Sequence, residues 1–130
     1  MITHLQMISI FVKDLTVSVP FYRDKLGFVQ TGEYNDHDGT HLIWLRPPET
    51  VGNDRSTAIA LCEVPASDPR IGAVSGVVFT SDDIEATYNE LKDRGVPFTL
   101  ELMRHPYGEG EGDQEANFVD PDGNLFLLHT

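Results

Sequence analysis

Ile10-Phe11-Val12-Lys13-Asp14, with Gly27-Phe28 behind it, returns later in the chain as Val78-Phe79-Thr80-Ser81-Asp82-Asp83, with Gly95-Val96 behind it. Both copies read as the same unit. An apolar, β-branched run suits a buried strand, an Asp offers a side-chain oxygen to the free amides at a helix start, and a glycine stops the helix. Strand, cap, helix and stop therefore occur twice, half a chain apart, and such a repeat outranks local detail in deciding a fold.

Working outward, Met7–Val12 is expected as a strand and Leu15–Leu26 as a helix burying Phe21, Tyr22 and Leu26, with a bend or a late start at Pro20. Strands follow over 28–34, 40–45 and 56–64, the first two joined through Asp38-Gly39, a strong hairpin signal. Residues 65–72 have linker chemistry. Beyond them come a strand over 74–80, a helix over Ile84–Arg94 with Ile84, Tyr88 and Leu91 on one face, and strands over 97–103, 115–119 and 124–129. Arg104–Asp113 is a glycine-rich loop, and Asp120-Pro121-Asp122-Gly123 is the last turn. The expected fold is α+β: a single domain over 1–130 of two β-α-β-β-β modules (about 1–64 and 73–130), whose curved mixed sheet surrounds a cleft.

Composition narrows the functions. A net charge of −12 is wrong for a phosphate backbone, so nucleic acid is not an expected partner. No segment approaches the ~20 apolar residues of a membrane span, and the N-terminus has no leader-like pattern, so no membrane association is expected. Cys62 is the single cysteine, which rules out an internal disulfide and fits a cytoplasmic location. There is no P-loop, His-Glu-x-x-His, Gly-x-Ser-x-Gly or dinucleotide fingerprint.

Three stretches carry a resemblance to a family: Val12-Lys13-Asp14-Leu15 with Phe21-Tyr22 and Leu26-Gly27-Phe28; Asp83-Ile84 with Leu91 and Arg94-Gly95-Val96; and Asn117-Phe118-Val119-Asp120-Pro121-Asp122-Gly123-Asn124. In this order they resemble the vicinal-oxygen-chelate superfamily of glyoxalases, bleomycin-resistance proteins and extradiol dioxygenases. The resemblance implies a glyoxalase/bleomycin-resistance fold. It also implies His and Glu metal ligands at four strand positions, which in this chain hold Met7, Ala60, Gly76 and Leu127. Ile59 and Leu61, beside Ala60, are no better as ligands. Borderline and hard divalent ions need imidazole, carboxylate or thiolate. The expectation is therefore no metal and no cofactor, with metal-dependent lyase or dioxygenase chemistry disfavoured.

The leading expectation is a metal-independent protein that binds or sequesters a small aromatic or cationic molecule, resembling the bleomycin-resistance branch, as a homodimer. The expected binding residues are Met7, Ser9, Phe11, Trp44, Cys62, Val78, Leu127 and His129, with Tyr107 above them on its loop. Tyr34 and Phe118 could extend an aromatic wall, although Trp44 and Phe118 serve equally well as core. Cys62 reads more simply as an inert buried thiol than as a reactive one. Glu109, Glu111 and Asp113 read as a solvated loop. The alternative is an enzyme, metal-free or with a displaced metal site built from His129 or His4 with Glu115 or Glu101, in which His129, His41 or Glu115 are the acid–base candidates. The third reading is a structural or regulatory dimer with a filled cavity.

Overall fold

The computed structural model describes residues 1–105 and 113–130. Internal contacts divide the chain into two units, Met1–Ile71 and Gly72–Thr130, so the boundary falls at the end of the expected linker.

In the first unit, β1 (Met7–Val12), β2 (Val29–Asn35), β3 (His41–Arg46) and β4 (Ala58–Glu63) form a sheet in the order β1-β4-β3-β2. β1 runs parallel to β4, and the other pairs are antiparallel. Asp14 caps α1 (Leu15–Pro20), its carboxylate accepting from Thr16 N at 2.9 Å. The bend expected at Pro20 is a change of helix type: Phe21–Lys25 continues as a π-helical turn, which suits a proline that cannot donate to the preceding turn. That turn sets Phe21 and Tyr22 edge to face at 5.3 Å, and both are buried. They belong to the same core as Val12, Leu45 and Leu61.

In the second unit, β5 (Val74–Thr80), β6 (Phe98–Arg104), β7 (Gln114–Val119) and β8 (Leu125–His129) repeat the pattern as β5-β8-β7-β6, again with one parallel pair. Asp83 caps α2 (Ile84–Asp93) through Ala86 N at 3.0 Å. Ile84, Tyr88 and Leu91 are buried as their spacing predicts, each such side chain contributing roughly 1.5–3 kcal/mol. Tyr88 meets Phe98 of β6 at 4.6 Å between ring centres. The remaining core is Val77, Val96, Ala116, Phe118, Phe126 and Leu128. The chain is thus α+β, with two βαβββ modules carrying a four-stranded mixed sheet each. Among the described residues no helix is long and apolar enough to cross a membrane.

Candidate functional site

Strand alternation gives each sheet a core face and a second face. In the first unit the second face carries Met7, Ser9 and Phe11 on β1, which pair with Ala58, Ala60 and Cys62 on β4, and beyond them Leu42, Trp44 and Arg46 on β3. The five residues expected here, Met7, Ser9, Phe11, Trp44 and Cys62, therefore share one surface. The Trp44 indole N–H donates to Met7 Sδ at 3.4 Å. A depression of about 240 Å³ beside them is lined by Gln6, Met7, Thr31, Trp44, Arg46 and Ala58. At the other end of the face the Arg70 guanidinium lies 3.9 Å from the centre of the Phe11 ring, gripped by Asp68 at 2.7 Å. Burial pushes the Cys62 thiol above its ordinary pKa, against weaker opposing effects of Ser9 and Arg70. The thiol is thereby kept protonated and poorly nucleophilic.

The Trp44 ring passes over its neighbour across the ladder because that neighbour has no side chain. Gly32 pairs with Trp44, and a Cβ on Gly32 would lie 2.4 Å from Trp44 Cε3. Gly32→Ala must therefore push the indole off Met7. The expected loss is about 1–3 kcal/mol of stability, the usual range for overpacking. Because Trp44 is the single tryptophan, its emission should shift in the same variant; unchanged emission and unchanged stability would refute this account.

In the second unit the corresponding face carries Val78 and Thr80 on β5, which pair with Leu127 and His129 on β8, and Glu115 and Asn117 on β7, which pair with His129 and Leu127. Val78, Leu127 and His129 are thus on one surface, as expected, with Val78 half exposed. Tyr107 lies outside the described residues. Tyr34 pairs with Leu42 and is largely exposed, its hydroxyl donating to Asp36. Phe118 points to the core, 1% exposed, and lines no face.

The family's metal positions do not fit a metal here. Met7, Ala60 and Leu127 present no imidazole or carboxylate. Gly76 has φ 73° and sits where the β5–β8 register shifts, a left-handed conformation that an imidazole-bearing residue adopts only under strain. The strand is therefore deformed at the position where a ligand should stand.

A different set of groups converges at the end of this face. His129 Nε2 lies 3.3 Å from Asp113 Oδ1, and His105 Nε2 lies 3.3 Å from Glu115 Oε2. Ligating atoms of His105, Asp113 and His129 all fall within 4.8 Å of one another. Of the residues expected for a displaced site, His129 and Glu115 are cross-strand partners. Glu101 is exposed and bound to Lys92 at 2.8 Å. His4 is exposed in the first unit, where its ring meets Thr3. His41, another acid–base candidate, is held by Glu33 at 2.7 Å in the first unit. His105 and Asp113 belong to the expected glycine-rich loop. The signal that could have found them is their position at the two ends of one loop, which a hairpin brings together: His105 N donates to Asp113 O at 2.9 Å.

Comparison with known proteins follows the same lines. The family model described as the glyoxalase/bleomycin resistance protein/dioxygenase superfamily matches residues 2–128. The chain is 33% identical to the uncharacterized protein YurT of Bacillus subtilis (strain 168) over 134 residues, covering 92% of this chain and 93% of that one. Among solved structures, TnmS3, an antibiotic binding protein from Streptomyces sp. CB03234, is 28% identical with a TM-score of 0.73, covering 98% of this chain and 95% of that one. A superfamily member from Sphaerobacter thermophilus DSM 20745 is 26% identical with a TM-score of 0.78, covering 98% and 97%. The repeated capped units, the duplicated sheet order and these matches lead to one conclusion: the chain belongs to the glyoxalase/bleomycin resistance protein/dioxygenase superfamily.

Proposed function

We propose that the protein binds and sequesters a small aromatic molecule without a metal at the family's ligand positions. The observation that carries this reading is the surface around Trp44. An indole that passes over Gly32 and donates its N–H to Met7, beside a depression of about 240 Å³, offers an aromatic surface where the family's enzymes would need a Lewis acid. The likeness to an antibiotic binding protein supports the same reading. The depression is smaller than the roughly 300–1,000 Å³ of drug-sized pockets, so it accommodates one ring system; Val78, Leu127 and His129 on the face of the second unit, with Tyr107, are proposed as ligand-binding residues of that unit. A homodimer, which the family resemblance implies, is proposed as the assembly, and light scattering on the purified chain tests it.

The net charge of −12 favours cationic ligands at long range, but the face itself carries Arg46 and Arg70. Two guanidiniums beside aromatic rings favour a neutral or anionic aromatic ligand. A panel of flat aromatic compounds of all three charge types should therefore be titrated against Trp44 fluorescence. At least one neutral or anionic member should quench saturably, and at a hundredfold excess over its Kd it should stabilise the fold by about 2.7 kcal/mol. Ser9→Arg, which plants a bulky cation on the exposed middle of the face, should abolish the quenching. If no compound shifts either emission or melting, sequestration is excluded and the reading of a structural dimer takes its place.

A further inference from the structure

The convergence of His105, Asp113, Glu115 and His129 goes beyond ligand sequestration and stands independently of it. We propose that His105, Asp113 and His129 form a binding site for a borderline divalent cation of the Zn²⁺ class, two strand positions along β8 from the family's ligand position at Leu127, with Glu115 beside His105 as its carboxylate partner. Two imidazoles and one carboxylate are a donor set such an ion accepts, with a fourth position left to water. All four belong to one structural unit. Glu115 and His129 are cross-strand partners on β7 and β8, while His105 and Asp113 follow β6 and precede β7.

The distances fit this role better than they fit ordinary ion pairs. Charge-assisted hydrogen bonds between nitrogen and carboxylate oxygen run at about 2.7–2.9 Å. The His129–Asp113 contact is 3.3 Å, close to the edge of a tetrahedron whose ligands stand about 2.0–2.1 Å from its centre. Compare the His–carboxylate contacts of the first unit, His41–Glu33 at 2.7 Å and His37–Asp36 at 2.6 Å, which have closed to hydrogen-bonding length.

The orientation of His129 is a second, independent observation. Its Nδ1 lies 2.9 Å from the Thr130 carbonyl oxygen. A carbonyl can only accept, so Nδ1 carries the proton, and in the neutral ring Nε2 presents a lone pair towards the Asp113 carboxylate. At 3.3 Å a lone pair and a carboxylate oxygen are held together by a cation between them, either a proton on Nε2, which makes an ordinary ion pair, or a metal ion, and the Zn²⁺ titration below separates the two. Metal-bound histidines commonly have this arrangement, with the far ring N–H fixed by a backbone carbonyl. The His105 and His129 rings lie 6.3 Å apart and are partly exposed, which leaves an entry path. A bound cation would fasten His105 and Asp113 to the last strand.

The test uses the whole chain, stripped with a chelator and dialysed, then titrated calorimetrically with Zn²⁺ and separately loaded with Co²⁺. Expected are about one Zn²⁺ per chain, a rise in melting temperature on binding, and the visible absorption of four-coordinate Co²⁺. His105→Gln and His129→Ala should each weaken Zn²⁺ binding by at least about tenfold, as the loss of even an outer-sphere partner does. His41→Gln should leave it unchanged, since His41 is engaged with Glu33. Circular dichroism of the metal-free variants checks folding, and Asp113→Asn replaces any variant that does not fold. Absence of stoichiometric binding overturns the site, and so does binding that survives the folded His105 and Asp113 variants. The Trp44 titration is run without metal, so failure of one proposal leaves the other standing.

Discussion

Replacing Phe118 by Ala should lower the free energy of unfolding by about 3–5 kcal/mol, the range for deleting a fully buried phenylalanine. Phe118 is 1% exposed near the end of β7. Its ring stacks on Phe79 at 6.2 Å and on Phe126 at 5.5 Å, and meets Phe98 edge-on at 5.9 Å. Aromatic neighbours on several sides have few rotamers with which to fill the hole, so relaxation recovers little of the loss. Urea denaturation measures the effect. Phe118→Leu should lose much less, because most of the volume remains. A loss below about 1 kcal/mol for the alanine variant would show that the ring cluster is not the centre of this module's core.

The second large effect is expected at the final turn. Asp120 is 2% exposed and Asn124 3% exposed. Asp120 Oδ1 accepts from the backbone N–H groups of Asp122 and Asn124, and Oδ2 accepts from Asn124 Nδ2, all at 2.9 Å. Asn124 Oδ1 in turn accepts from Gly72 N at 2.9 Å, which ties the start of the unit to its last hairpin. Asp120→Ala removes the acceptor for several donors at once. With about 1–3 kcal/mol for each buried donor left unpaired, a loss of about 2–4 kcal/mol is expected. Asp120→Asn is the sharper test. It keeps the shape, but it must turn an amide NH₂ either towards the Asn124 NH₂ or towards the two backbone N–H groups. A clear loss of stability is expected for it too. Urea midpoints within about 0.5 kcal/mol of the parent for both variants would mean that the turn is held by its backbone alone.

Much of this fold was legible because the deciding signals are local. Asp14 and Asp83 cap helices through amides two or three residues away, and the apolar runs before them have strand periodicity. Ile84, Tyr88 and Leu91 announce the buried face of α2 by spacing alone. Element ends moved by a residue or two, as at β3, which runs His41–Arg46 and not from Thr40. The helix type after Pro20 was not legible, because a proline announces a break in the ladder without saying whether a bend or a widened turn will absorb it.

The binding face was legible in part for the same reason. Alternation along one strand tells which residues share a side, and it placed Met7, Ser9 and Phe11 together, and Leu127 with His129. It could not decide between wall and core for the aromatics: Trp44 went to the face and Phe118 to the core, because each strand's phase against its partner is fixed by the sheet. Nor could it show why the Trp44 ring passes over Gly32, since Gly32 is opposite it only once β2 and β3 are in register.

By itself, then, the sequence determined the duplicated capped units, the absence of ligating atoms at the family's metal positions, and the side of each strand on which Met7 and Leu127 stand. Each of these rests on residues within a few positions of one another, or on a side chain's own chemistry. Only the tertiary structure decided that Gly32 makes room for Trp44, that Asn124 reaches Gly72, and that His105 and Asp113 join Glu115 and His129. Those pairings depend on hairpin closure and strand register, which arise when whole sheets find the arrangement that buries their apolar faces, and no short stretch of chain encodes that arrangement alone.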